Sequence, residues 1–227
     1  MVKNNISFLS IIEPEIYIMG VWDPYFYEHS KEIENLGKLV KITRLKSVKK
    51  NYFLTPIEYR NITKDWSFVF KAQEDKDNIP KSYTSAPENS LLFGTMRAYL
   101  GNVIVTPKSK WLKKKELVFP TKSEFLQILP KDELVYFWWF YLKSELFLKK
   151  LPLGGGGTRP RLSAEMLAKI PVSVPDLIVR KEIDKKLSAV AKQEWMQYTR
   201  TDEILIRYKQ ILQNEEINSK RPQGPKK

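Results

Sequence analysis

From residue 176 to residue 217 the chain reads DLIVRKEIDKKLSAVAKQEWMQYTRTDEILIRYKQILQNEEI, without a proline or a glycine. Ile183, Leu187, Val190, Glu194, Gln197, Thr201, Ile204, Tyr208, Ile211 and Glu215 recur at spacings of four and three, the heptad rhythm of a helix that pairs with another helix. At 1.5 Å of rise per residue such a helix is roughly 60 Å long, more than the preceding residues are expected to cover. The spacing predicts a dimerisation or spacer helix over 176–217. Its apolar seam would be Ile183, Leu187, Val190, Ile204, Tyr208 and Ile211. Its polar centre, Glu194, Gln197 and Thr201, would fix register and partner. This helix divides the chain into a globular domain at 1–175, the helix, and a basic tail at 218–227. Pro222, Gly224 and Pro225 break any helix in the tail, which is expected to be disordered.

Upstream of the helix the period changes. Ser67–Phe70, Leu91–Phe93, Val103–Val105 and Leu117–Phe119 are short, β-branched or aromatic, and bounded by turn residues or lysines, and they read as strands. Residues 73–88 are polar, contain Pro80 and Pro87, and read as a long surface loop. Asp23 and Pro24 suit the start of a polar helix that Gly37 ends. Between Lys131 and Leu151 the apolar residues fall at helical spacing. Six consecutive aromatics, Tyr136–Tyr141, belong in the core of that helix rather than on a base-stacking surface, and Asp132 and Glu133 suit the positive end of its dipole. The fold class is therefore α+β: a globular recognition domain with a small mixed or antiparallel sheet, then a long helix of coiled-coil type.

Composition narrows the chemistry. The 227 residues hold 39 Lys and Arg against 26 Asp and Glu, a net charge of +13, with no cysteine and one histidine, His29. That excludes disulfides, thiolate metal sites and a cysteine nucleophile, and leaves no multi-histidine metal site. No signal peptide is read, and the longest apolar run, Leu134–Leu142, is half of what a membrane span needs. A cytoplasmic protein with no membrane partner is expected. The positive charge is clustered at Lys38–Lys50, Lys108–Lys115 and Asn218–Lys227, which carry fifteen basic residues and no acid. Such patches suit a phosphate backbone, and Lys108, Lys110, Lys113 and Lys114 are expected phosphate contacts.

Neither a dinucleotide-binding nor a P-loop glycine pattern is present, and nothing assembles a nucleophile, base and oxyanion donor. Asp176, Asp184 and Lys186 imitate a nuclease pattern, but they fall at or in the long helix instead of on a sheet. Two arginine-bearing loops stand out. LPLGGGGTRPRL (151–162) offers Thr158, Arg159 and Arg161 after four glycines, and LLFGTMRAYLGNVIV (91–105) offers Thr95, Arg97 and Tyr99 between two strands. Glycine lets a backbone approach another surface closely, and an arginine fork reads guanine O6 and N7 or grips phosphate. These six residues are the expected DNA contacts of the two loops, with Arg97 also able to form a structural ion pair.

FGTMRAYLGNVIV (93–105), GGGGTRPRLSAEMLAKIPVSVPDL (154–177) and the helix after them resemble the DNA-specificity (S) subunit of type I restriction–modification systems. WDPYFY (22–27) is similar to the aromatic Asp-Pro segment near the start of such domains. The resemblance implies a target recognition domain followed by a helix, with no catalytic group, metal or cofactor of its own. N6-adenine methylation and ATP-driven cleavage would belong to partner subunits, a methyltransferase (modification) subunit among them. Two departures stand out. Val179 and Arg180 replace the usual Glu-Gln after Pro-Leu. One recognition domain and one helix are present where the family has two of each. A half-sized form implies one half-site of double-stranded DNA per copy and a homodimer through the helix. The alternative is a non-catalytic DNA-binding adaptor of another phage-defence system with little sequence preference.

Overall fold

The computed structural model of the chain describes residues 34–47, 57–63, 65–70, 83–113, 118–152 and 161–219. Strands β2 (Val40–Arg44), β8 (Phe125–Pro130), β5 (Leu91–Gly94) and β6 (Val103–Val105) form a four-stranded antiparallel sheet in that order. β3 (Lys46–Ser47), β4 (Tyr83–Pro87) and β7 (Val118–Lys122) form a second antiparallel sheet. The chain steps between the two sheets at β2–β3, β4–β5, β6–β7 and β7–β8. β1 (Glu34–Asn35) and β9 (Pro171–Val172) make a small ribbon that brings the start of the described chain to the foot of the long helix. The class is α+β, as the residue patterns predict.

Five expectations about elements change. Ser67–Phe70 is no ladder strand, although Glu194 receives the Ser67 hydroxyl at 3.0 Å and the Phe68 amide at 2.8 Å. The end of the expected 73–88 loop is β4, whose residues Tyr83–Pro87 pair with Val118–Lys122 of β7. β8, buried between β2 and β5, has no counterpart among the expected strands. Gly37 lies inside a helical turn, α1 (Leu36–Leu39), where a Cβ would sit 3.0 Å from the Ala168 Cβ, so the glycine serves close packing on α4 (Ala164–Ala168). The Lys131–Leu151 helix is two, α2 (Val135–Lys143) and α3 (Glu145–Leu148), divided at Ser144. The Asp23-Pro24 helix start and the 218–227 tail's last eight residues fall outside the described residues.

α2 is apolar on every side and buried on every side, as a helix without a polar stripe has to be. Each aromatic with a polar handle finds a partner for it, which is what burial of Trp and Tyr demands. Trp139 Nε1 donates to the Val103 carbonyl at 3.1 Å, Trp138 Nε1 to Asp132 at 3.0 Å, and Tyr136 OH to Asn89 at 3.0 Å, while Tyr141 OH accepts from the Ser173 amide at 3.2 Å. The aromatics are core residues, as expected. The positive end of α2 is not served as expected. Asp184, forty-nine positions beyond Val135, accepts the amides of Tyr136 and Phe137 at 2.7 and 3.0 Å. Asp132 instead takes the Trp138 indole, the Leu134 amide and the Arg180 guanidinium.

The long helix α5 runs from Leu177 to Ser219. Its first five turns are part of the domain: Ile183, Leu187, Ala191 and Trp195 are buried, with Trp195 set edge-on to Phe70 at 5.0 Å. Two expectations are corrected here. Ile183 and Leu187 do not line a free seam, because they complete the domain's own core at 4 % and 1 % exposure. Glu194 is not part of an open polar centre either, since it fastens residues 67–68.

Candidate nucleic-acid interface

The β5–β6 hairpin decides where the expected DNA contacts lie. β5 ends at Gly94 and the chain returns at Val103, so residues 95–102 form one end of the sheet, whereas Lys108–Lys113 leave β6 at the other end. Strands of three or four residues put these ends about 10–14 Å apart. The two sets of expected contacts are therefore two separate patches.

The first patch is a junction of three backbone segments. Met96 and Arg161 form an isolated antiparallel bridge, and the Leu162 amide donates to the Thr95 carbonyl at 3.0 Å. The Glu124 carbonyl, in the turn between β7 and β8, accepts the Thr95 amide at 3.0 Å, the Thr95 hydroxyl at 2.7 Å and the Tyr59 hydroxyl at 3.4 Å. Tyr59 OH also accepts the Met96 amide at 3.2 Å, and its ring stacks on Phe125 at 4.9 Å. Burial pushes the Tyr59 phenol up to about 12, so it stays a donor. Gly94 is required here, because a Cβ would fall 2.5 Å from the Tyr59 ring.

Out of this junction project the arginines. Arg97 is exposed and left-handed, at φ 49°, a conformation that costs a non-glycine residue roughly 1–2 kcal/mol and that the packed junction imposes. Tyr99 and Leu100 follow it, each about half exposed at 49 % and 47 %. Arg161 is 64 % exposed and pairs with the Glu124 carboxylate at 3.0 Å. Thr95 differs from its neighbours: it is buried and its hydroxyl is committed to the Glu124 carbonyl, where it holds the loop. Thr158 and Arg159 lie outside the described residues. Beside the junction, Glu58 pairs with Arg60 at 3.0 Å and Lys122 at 3.6 Å and accepts the Tyr83 hydroxyl. That hydroxyl, and then the two cations, hold its carboxyl below the usual range. Tyr59, Arg60, Lys122 and Glu124 were not read as site residues. No spacing signal links Glu124 to Arg161, and only the fold makes them neighbours.

The second patch is basic and partly committed. The Lys108 ammonium lies 5.6 Å from the Trp111 ring centroid, Lys110 is exposed, and Lys113 pairs with Glu203 of α5 at 3.1 Å. Glu88 anchors the turn by accepting the amide and hydroxyl of Ser109, bonds that keep its carboxyl below the usual range. Lys114 is outside the described residues. Val190 and Tyr198 pack on the core's edge, and farther along the helix Ile204 is 47 % and Tyr208 62 % exposed. The side chain of Ile211 is not among those described.

The family model of the type I restriction modification DNA specificity domain matches residues 30–205. The chain belongs to that family. The match takes in both patches and α5 as far as the point where its apolar side chains become exposed. A search of curated proteins returns no match. Two solved structures are similar to this specificity domain. One, described as the structural basis of complex assembly and conformational transition of the type I R-M system, is 13 % identical with a TM-score of 0.49, over 88 % of this chain and 50 % of that one. The other is the HsdS subunit from Thermoanaerobacter tengcongensis, 16 % identical with a TM-score of 0.41, over 72 % and 38 %. The specificity domain thus spans about half the length of the first of these chains.

The family that matches is one of DNA specificity domains. Of the nuclease-like triplet, Asp184 spends its carboxylate on the α2 amides. Among the described residues no group of acids and histidine is arranged to hold a metal ion, and no helix is long and apolar enough to cross a membrane.

Proposed function

We propose that this chain recognises one half-site of double-stranded DNA as the specificity component of a type I restriction–modification complex in the cytoplasm. The observation that carries the reading is the family match over residues 30–205, which spans one recognition fold and one long helix. Arg97, Tyr99 and Arg161, with Thr158 and Arg159 of the same loops, make the base-reading face. Lys108, Lys110, Lys113 and Lys114 follow the phosphates. The exposed apolar residues Ile204 and Tyr208 pair with a second copy, and a methyltransferase subunit is recruited to the pair. Paired helices would then set the spacing between half-sites.

Selection from a pool of random duplexes tests this. A recovered motif supports sequence recognition, and equal recovery of all sequences replaces it with a DNA-binding adaptor. Arg97→Ala should weaken binding and relax preference at one base pair, by about 1–3 kcal/mol for a bidentate contact. Uniform weakening on all sequences would make Arg97 a phosphate contact.

A further inference from the structure

We infer that Glu124 is a positioning residue that holds Arg161 ready to read a guanine in the major groove. The inference rests on the DNA-recognition reading above and adds a residue to it. An arginine on an exposed segment ordinarily samples many rotamers, and ordering it at an interface lowers affinity severalfold. Arg161 has part of that freedom removed in advance. Its backbone is bridged to Met96 and continues into the Leu162–Thr95 bond, and its guanidinium is held by Glu124 at 3.0 Å. Glu124 is itself fixed by the three donors on its carbonyl, and its side chain is only 19 % exposed. The contact uses one Nη2–Oε1 pair, while the side chain as a whole remains 64 % exposed. A guanidinium has five N–H donors in a planar fork, so one edge can rest on a carboxylate while another meets guanine O6 and N7.

The sign of the charge supports the same assignment. A carboxylate facing a phosphate polyanion weakens binding to every sequence. Its presence beside a DNA-facing arginine is therefore a device for selectivity: it lowers the background and orients the donor that recovers affinity at the right base. A structural ion pair would need no exposed guanidinium, and a phosphate clamp would do better without the acid.

The test measures duplex binding for the wild-type chain, Glu124→Gln, Arg161→Ala, Arg161→Lys and the double variant Glu124→Gln/Arg161→Ala. The duplexes are the selected motif and its single-base-pair changes. Thermal unfolding first establishes that each variant is folded. Glu124→Gln is expected to keep or raise affinity for unrelated DNA while the penalty for replacing one G·C pair falls roughly three- to tenfold. Arg161→Ala and Arg161→Lys should remove the penalty at that same pair, and the double variant should lose no more than Arg161→Ala alone. The proposal is overturned if Glu124→Gln shifts all duplexes equally with every base penalty intact, or if its effect adds fully to that of Arg161→Ala. A wild-type chain that selects no motif overturns the recognition reading itself, and this inference with it.

Discussion

Lys143 is the most informative single residue for the stability of this fold. It ends α2 at 8 % exposure, donates to the Asp65 carbonyl, and lies 5.8 and 5.3 Å from the ring centroids of Trp66 and Trp139. Burial, opposed by the nearby charges of Asp65 and Glu194, brings its ammonium down from 10.5 to about 8. The unfolded chain holds this proton up to pH 10.5, but the folded chain releases it from about pH 8. Between those values the unfolded state binds more protons, so raising the pH favours folding. At about 1.4 kcal/mol per pH unit the full window is worth about 3 kcal/mol, and the accessible part from pH 8 to 9.5 about 2 kcal/mol. The buried phenols of Tyr59 and Tyr83 are raised to about 12 and weaken folding only above pH 10, and Lys150, whose ammonium burial also lowers, contributes equally to the wild-type chain and a Lys143 variant. The assay is urea unfolding at half-unit steps from pH 7 to 9.5, on the wild-type chain and Lys143→Met, which fills the same slot without a charge. Wild-type stability should climb relative to the variant by about 2 kcal/mol across the range. Parallel curves for the two proteins would refute the argument, since the buried ammonium would then contribute nothing that titrates.

Three further outcomes are expected. Arg180→Ala leaves the Asp132 carboxylate buried beside Trp138 without its cation, and chemical unfolding should register a loss of about 3–5 kcal/mol, whereas Arg180→Met with Asp132→Asn, which keeps an acceptor for the Trp138 indole and the Leu134 amide, should restore most of it. Trp195→Ala removes the last large side chain of α5 that is buried in the core, and should cost about 3–5 kcal/mol in the same measurement. Ile204→Glu with Tyr208→Glu should convert a dimer to a monomer in sedimentation equilibrium while leaving the melting temperature of the domain unchanged. A monomeric wild-type chain at tens of micromolar would count against self-pairing.

The parts of the fold that were legible are those where one residue pattern has one physical solution. An all-apolar aromatic run can only be buried, and Tyr136–Tyr141 is buried. Leu91–Phe93 and Val103–Val105 read as strands, and they pair with each other. What stayed hidden depends on contacts between distant positions. β8 carries Gln127 within its apolar run, and the glutamine is accommodated by Ser90, thirty-seven positions away. Glu194 looked like the polar centre of a helix pair because its spacing is that of a seam, yet its partners are the hydroxyl and amide at 67 and 68. Of the loop residues expected to face DNA, Arg97, Tyr99 and Arg161 are exposed on one junction. Thr95 is not exposed, since the same small hydroxyl that suits a base contact suits a backbone carbonyl equally well.

The long helix shows why a heptad rhythm is ambiguous as evidence for pairing. Spacings of four and three place side chains on one stripe, whatever lies opposite. Over the first five turns the stripe meets its own domain, and Asp184, Glu194 and Arg180 each anchor the helix to a different segment of it. Past Trp195 the same stripe, at Ile204 and Tyr208, has no cover from the described residues. The proximal anchors make the distal stripe a rigid extension of the domain, because α5 can swing only by breaking buried polar bonds at residues 67–68, 132 and 136–137. On the proposed pairing, the angle at which α5 leaves the domain, and not any residue at the distal contact, fixes how far apart two recognition faces stand. An insertion of one residue near position 200 would then rotate the distal stripe by about 100° relative to the anchors and alter the half-site geometry, while leaving each half-site's base preference intact.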